Sequence, residues 1–225
     1  QPIVTSKERK TVAAEALARI RDKDGRLISP VLFIPLAERN GQINRLGEQM
    51  LEKACDFLSG REGERSGLQW INVNLSPIQC MNRDLSKRFN EIIQRHGVSS
   101  SLINLEITEA TMVDFSILYE RMADLIGKGF HFSLDDYGSG YSNIGRVKMY
   151  PFSNIKLDMD LVRRHCESPD RLLPAIIEVF KQEGFSVTAE GIETAEMADT
   201  MEEIGCDYLQ GYYFSEPVPA AEFQF

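Results

Sequence analysis

Glu15, Asn74, Glu106, Asp135, Lys156, Glu190 and Gln210 are polar residues that each stand at the end of a short apolar stretch reading as a β-strand. If those strands run side by side in one direction, their ends converge. Carboxylates gathered there without counter-charge would be costly to bury, so the acids and their single lysine argue for bound cations. Glu15, Asn74, Glu106 and Asp135 supply one set of oxygen donors with no histidine or cysteine beside them. Such a set suits Mg²⁺ or Mn²⁺ better than Zn²⁺. Asp136 follows Asp135 directly. If one aspartate bridges, the other can hold a neighbouring ion with Glu190 opposite. Two cations ~3.5–4 Å apart form the clamp used for in-line displacement at phosphorus. Lys156 among these anions would orient an attacking water or stabilise charge on phosphoryl oxygens. Ca²⁺ is larger and tolerates looser geometry, so it is expected to be inhibitory.

The elements that must hold these residues follow from the hydrophobic pattern. Ile103, Leu105 and Ile107 alternate with Asn104, Glu106 and Thr108; Ile71, Val73 and Leu75 with Asn72 and Asn74; Phe132 and Leu134 with His131, Ser133 and Asp135. In a parallel barrel one strand face packs on outer helices and the other fills the lumen. The seven polar residues are separated by 59, 32, 29, 21, 34 and 20 positions. One strand–helix unit takes roughly 25–35 residues. Most intervals therefore hold one unit, the first has room for extra helices around Pro35 to Gly41, and the two short ones need a short or partial helix. Apolar stripes at helical spacing begin at Ile43, Leu85, Leu118, Leu172 and Met197, and glycine follows the later four, as expected at helix ends. Thr194 is a candidate N-cap for the last. The segment Gln1 to Val4 makes an eighth strand, joined to the next by only Thr5 to Lys10. Parallel neighbours need a dozen or more connecting residues, so this first strand must be antiparallel. The fold expected is an α/β, TIM-like (β/α)8 barrel with an antiparallel first strand.

At 225 residues and 43% hydrophobic, the chain suits one domain spanning residues 1–225. Its net charge of −9 disfavours duplex nucleic acid as a partner. Bound metals would still admit an anionic ligand. Cys55, Cys80, Cys166 and Cys206 form no close-spaced pair and read as reduced thiols of a cytoplasmic protein. No apolar run approaches the ~18 residues of a membrane span. Both ends resemble cut points, which predicts a domain excised from a larger multidomain protein.

Taken singly, each site residue also has a plain structural reading. Asp135-Asp136 before Gly138 could form a turn, Asn74 before Ser76-Pro77 could lie in a helix N-cap region, and Lys156 could pair with Asp158. It is their joint position at successive strand ends that favours a site. His96, His131 and His165 share no metal-ligand spacing, and His131 is expected to face the lumen below Asp135 as a hydrogen-bonded core residue.

The chain resembles the EAL domain, a bacterial phosphodiesterase module for cyclic di-GMP. The blocks "AAEALAR", "FIPLAE", "NVNLSP", "LEITEA", "LDDYGSGYSN", "IKLD", "AEGIET" and "LQGYYFSEP" follow one another in order along nearly its whole length. The resemblance implies that Glu15, Asn74, Glu106 and Asp135 hold one metal, and Asp135, Asp136 and Glu190 the other. Lys156 and Gln210 would lie beside the attacking water, and Arg19 would contact the substrate phosphate. Glu109, with Glu193 assisting, would anchor the loop from Asp136 to Asn143, which the family couples to a homodimer interface. The implied product is linear pGpG, and the implied companions are sensory or diguanylate cyclase domains. A receptor that binds cyclic di-GMP without cleaving it, or a protein-interaction domain, is the alternative. Ile20 stands where the family usually has tryptophan, and Tyr137, Ser139 and Asn143 replace phenylalanine, threonine and serine.

Overall fold

The alternation of apolar and polar residues is realised as a closed barrel. The computed structural model describes residues 1–60, 67–108, 115–140 and 144–223. Eight strands close the wall: β1 (Pro2–Thr5), β2 (Thr11–Ala16), β5 (Trp70–Asn74), β6 (Ile103–Thr108), β7 (His131–Tyr137), β8 (Asn154–Leu157), β9 (Ser186–Ala189) and β10 (Tyr208–Leu209). Their order around the barrel is β1-β10-β9-β8-β7-β6-β5-β2. β1 runs antiparallel to both β2 and β10, as its short connection requires, and the remaining neighbours pair in parallel. That tight return places Arg9 at φ 55°, with its amide bonded to the Thr5 carbonyl at 3.1 Å.

The extra length between β2 and β5 holds a two-stranded ribbon, β3 (Ile20–Arg21) with β4 (Leu27–Ile28), and the helices Pro30–Arg39 and Ile43–Ser59. The expected stripes become Ile43–Ser59, Leu85–His96, Phe115–Ile126, Leu172–Gln182 and Ala195–Glu203. The Leu85–His96 helix ends at Gly97, whose φ of 65° suits a residue without Cβ. Thr194 caps the last helix by accepting from the Met197 amide at 3.2 Å. The two short intervals contain the four-residue helix Ile144–Val147 and the nine-residue Ala195–Glu203. The helix Met159–Glu167, capped by Asp158, was not foreseen. Its polar sequence lacks a continuous stripe, and only Val162 and His165 are buried.

Ile71, Val73, Ile103, Leu105, Ile107, Phe132 and Leu134 meet Leu51, Phe89, Met122 and Leu125 from the helices in one core. Each fully buried side chain of this kind contributes roughly 1.5–3 kcal/mol. The opposite strand faces fill the lumen with buried Asn72, Asn104, Ser133, Asn154 and Thr188. His131 departs from expectation: it is exposed at the start of β7, where the lumen opens to solvent at the end away from Asp135.

Candidate active site at the C-terminal mouth of the barrel

The parallel strands carry their polar residues to one rim. Glu15 and Lys156 are the penultimate residues of β2 and β8, and Asn74 is the last of β5. Glu106 and Asp135 lie two positions inside the ends of β6 and β7, whereas Glu190 and Gln210 directly follow β9 and β10. These offsets follow from the barrel stagger and bring the groups to one level.

Lys156 is the centre of the arrangement. Its Nζ lies 2.7 Å from Glu106 Oε1, 2.7 Å from Glu190 Oε1, 3.1 Å from Asp135 Oδ1 and 3.2 Å from Glu15 Oε2. The Glu15 carboxylate also accepts from Asn74 Nδ2 at 2.9 Å and from Gln210 Nε2 at 2.7 Å. Gln210 in turn reaches Gln1 Oε1 at 3.1 Å, which ties β1 into the site.

Asp136 enters through a break in β7. The β7–β8 register shifts between Leu134 and Tyr137, and Asp136 adopts φ 55°. A regular strand would send adjacent side chains to opposite faces. The bulge instead turns Asp136 toward Asp135 and Glu190, and oxygens of the three acids lie within 4.8 Å of one another. The Ser139 amide and hydroxyl bond back to the Asp136 carbonyl at 3.1 and 2.8 Å.

Four carboxylates thus surround one ammonium, with Asp136 beside two of them, and their protonation equilibria separate. Burial and neighbouring negative charge push Glu190 up to about 8, despite Lys156. Burial, Asp135 and Asp158 push Asp136 to about 6. Burial and the Glu15 charge hold Glu106 well above the carboxylate range. Burial also works against Glu15, yet Lys156 and the bonds from Gln210 and Asn74 outweigh it and bring that acid down to about 2. Burial disfavours the Lys156 ammonium, but the four carboxylates raise it well above the usual lysine range. Among the described residues, two buried carboxylate oxygens have no hydrogen-bond partner: Glu106 Oε2 and Asp135 Oδ1. The latter is close enough to Lys156 for an ion pair but outside hydrogen-bond geometry. Excess negative charge, open lone pairs and an all-oxygen donor set suit hard divalent cations.

A chain with this barrel and this rim is comparable throughout with known proteins. The EAL domain model matches residues 1–217. The chain belongs to the EAL domain family. This EAL domain is 32% identical over 226 residues to the oxygen sensor protein DosP of Escherichia coli K12, covering 99% of the chain and 28% of that protein. It is 31% identical to the bifunctional diguanylate cyclase/cyclic di-GMP phosphodiesterase MucR of Pseudomonas aeruginosa, covering 99% of the chain and 33% of that protein. It therefore spans a third or less of these relatives. The solved structure of the MucR phosphodiesterase in complex with c-di-GMP has a TM-score of 0.90 at 30% identity, covering 99% of this chain and 91% of that one. The EAL enzyme Bd1971, in its cAMP- and cyclic-di-GMP-bound form, gives 0.90 at 28% identity, covering 98% and 61%.

The other expected site residues of this EAL domain are distributed as follows. Arg19 is exposed on the segment after β2, and its guanidinium donates to the Ala18 carbonyl at 2.9 Å. Glu193 is exposed and pairs with Arg163 at 3.2 Å. Glu109 and Asn143 lie outside the described residues. Ile20 opens β3 opposite Ile28. Sequence reasoning assigned no role to Asn72 or Asn104, although the alternation had put both on the polar face. Asn72 donates to Glu106 Oε1 at 2.6 Å.

Proposed function

We propose that this EAL domain hydrolyses cyclic di-GMP to linear pGpG in a reaction that depends on two divalent cations, Mg²⁺ or Mn²⁺. The observation that carries this reading is the set of Glu15, Glu106, Asp135 and Glu190 around Lys156, with Asp136 beside Asp135 and Glu190 and with Glu106 Oε2 lacking a hydrogen-bond partner among the described residues. Glu15, Asn74, Glu106 and Asp135 would hold one cation, and Asp135, Asp136 and Glu190 the other. When bound, these cations supply Lewis acidity to the phosphoryl oxygens and lower the pKa of a water.

The remaining work falls to the chain's own side chains. Arg19, exposed four residues after Glu15, would receive a substrate phosphate through charge-assisted hydrogen bonds. Lys156 has donors and no acceptor, so it orients the attacking oxygen or steadies charge that develops on the phosphoryl group. Gln210 holds Glu15 and fixes one edge of the water position. In this reading Asp136 bounds the opposite edge of the water position, and Glu109 and Glu193 would anchor the loop that follows it. A cytoplasmic setting, a homodimer and attached sensory or diguanylate cyclase domains complete the reading. Relatives about three times as long or longer, MucR among them, support the attached domains.

The deciding experiment is cyclic di-GMP turnover with Mg²⁺ or Mn²⁺ and chromatographic identification of the product. Accumulation of pGpG supports the reading. Tight binding without turnover would make the domain a receptor, and absence of binding would make it an interaction module.

A further inference from the structure

Below the carboxylate ring, the lumen contains a directed chain of amides. Asn104 Nδ2 donates to Ser133 Oγ and, at 2.9 Å, to Asn72 Oδ1; Asn72 Nδ2 then donates to Glu106 Oε1 at 2.6 Å. All four residues are buried, with Asn72 only 2% exposed and Glu106 only 1%. The chain has one consistent polarity. Were the Asn104 amide reversed, its carbonyl would face the Asn72 carbonyl. Asn72 would then have to turn, and its bond donated to Glu106 Oε1 would be lost. The polarity that avoids this leaves Asn104 Oδ1 buried without a partner among the described residues. A buried polar atom without a partner is unfavourable, so the orientation is kept despite that loss.

The upper end of the chain explains what the orientation achieves. Glu106 Oε1 receives Asn72 and lies 2.7 Å from Lys156 Nζ, while Glu106 Oε2 is buried with no hydrogen-bond partner among the described residues. Both donors converge on one oxygen and leave the other open. We infer that Asn72, oriented by Asn104, is a positioning residue that determines which oxygen of Glu106 is presented to a divalent cation. The inference rests on the proposal that this rim binds such cations. It adds a role for two residues that touch neither substrate nor metal. Partners of this kind hold a ligand's orientation, and their loss typically lowers metal affinity by roughly 10–100-fold.

Mn²⁺ affinity, measured by calorimetry or paramagnetic resonance, tests it in the unsubstituted domain, Asn72→Ala, Asn104→Ala and Thr188→Val. Thr188 is the control. It bonds to Asn154 on the other side of the lumen, and among the described residues neither side chain bonds to the carboxylates. Asn72→Ala and Asn104→Ala should each bind Mn²⁺ roughly 10–100-fold more weakly. Thr188→Val should bind it within about threefold of the unsubstituted domain, since a lumen change that leaves Glu106 oriented spares the ligand. Unchanged affinity in the folded asparagine variants, or an equal loss in Thr188→Val, overturns the inference. If neither asparagine variant folds, the unsubstituted domain with ¹⁵N-labelled asparagine decides. On Mg²⁺ titration the Asn72 carboxamide resonances should shift and those of Asn154 should not. An unmoved Asn72 at saturating Mg²⁺ overturns the inference. If the unsubstituted domain binds no divalent cation, the proposed function fails first, which separates the two ideas.

Discussion

Asp135 and Asp136 are neighbours in a β-strand, yet their carboxylate oxygens approach within 4.8 Å of each other and of Glu190, because Asp136 adopts φ 55°. Left-handed backbone is tolerated by Asp better than by most residues, though it still carries strain. The bulge converts an alternating pair into a convergent one and adds the carboxylate that the proposed second cation would need.

That convergence should be visible in metal-free stability. The Asp136 carboxyl is raised from 3.8 to about 6, through burial and the charges of Asp135 and Asp158. A carboxyl whose folded pKa is raised destabilises the fold once pH exceeds its unfolded value, and fully so above about 6. Asp136→Asn keeps the left-handed preference and removes the charge. At pH 7.5 without metal it should melt higher, by about 1 kcal/mol once partial exposure is allowed for. Below about pH 4 the difference should vanish. Thermal melts at the two pH values check this, and a lower melting point at pH 7.5 would contradict it.

Metal dependence is the second expectation. Chelation should abolish cyclic di-GMP hydrolysis, and Mg²⁺ or Mn²⁺ should restore it. Ca²⁺ should bind and support little turnover, because its looser coordination does not hold in-line geometry. Full activity after exhaustive chelation would refute the two-metal reading.

Binding and chemistry should separate in two substitutions. Glu15 is buried and bonded to Asn74, Gln210 and Lys156, so Glu15→Ala should lower kcat by several orders of magnitude. Arg19 is exposed, and Arg19→Ala should raise KM by about 10-fold or more with a smaller change in kcat. Steady-state kinetics on both variants provide the test. Near-normal turnover in Glu15→Ala would remove the central assignment.

Gly211 joins the segments that carry Gln210 and Glu190. A Cβ at this position would lie 2.1 Å from the Ile192 carbonyl oxygen, a backbone atom that cannot swing aside. The same crossing carries Ile192 N–H to the Gln210 carbonyl at 3.1 Å and Tyr213 N–H to the Ile192 carbonyl at 2.9 Å. Gly211→Ala should therefore cost about 1–3 kcal/mol of stability. It should also lower turnover at least about tenfold, by displacing Gln210 from Glu15. Melting and kinetics on the same sample check both effects, and a wild-type melt with wild-type turnover would show that the crossing yields freely.

Thiol reactivity should rank by burial. Desolvation pushes Cys55, Cys80 and Cys206 up to about 12, and Cys166 is half-buried with a smaller upward displacement. At pH 8 a thiol of pKa 12 has roughly one part in 10⁴ as thiolate, the reactive form. An alkylating reagent on the folded domain should modify Cys166 first, as read by peptide mass spectrometry. Rapid labelling of Cys206 would contradict this order.

Much of this molecule was legible before any coordinates. Period-two alternation put Glu106 and Asp135 on a lumen face, and a connection of a few residues after Thr5 required β1 to be antiparallel. Both are local properties, set by pleat geometry and chain reach. Helix ends at Gly97 and Gly205 were legible for the same reason, since glycine acts on its own backbone. Tertiary structure alone decided the rest. The inward turn of Asp136 depends on a register shift against β8, and a pattern confined to one strand carries no trace of it. His131 obeys the alternation and is nevertheless exposed, because the depth of a strand position depends on where the neighbouring strands end. Asn72 and Asn104 looked like two more polar lumen residues. Their shared direction toward one oxygen of Glu106 arises only when β5, β6 and β7 lie side by side, because hydrogen-bond polarity is a property of neighbouring side chains in space and not of spacing along the chain.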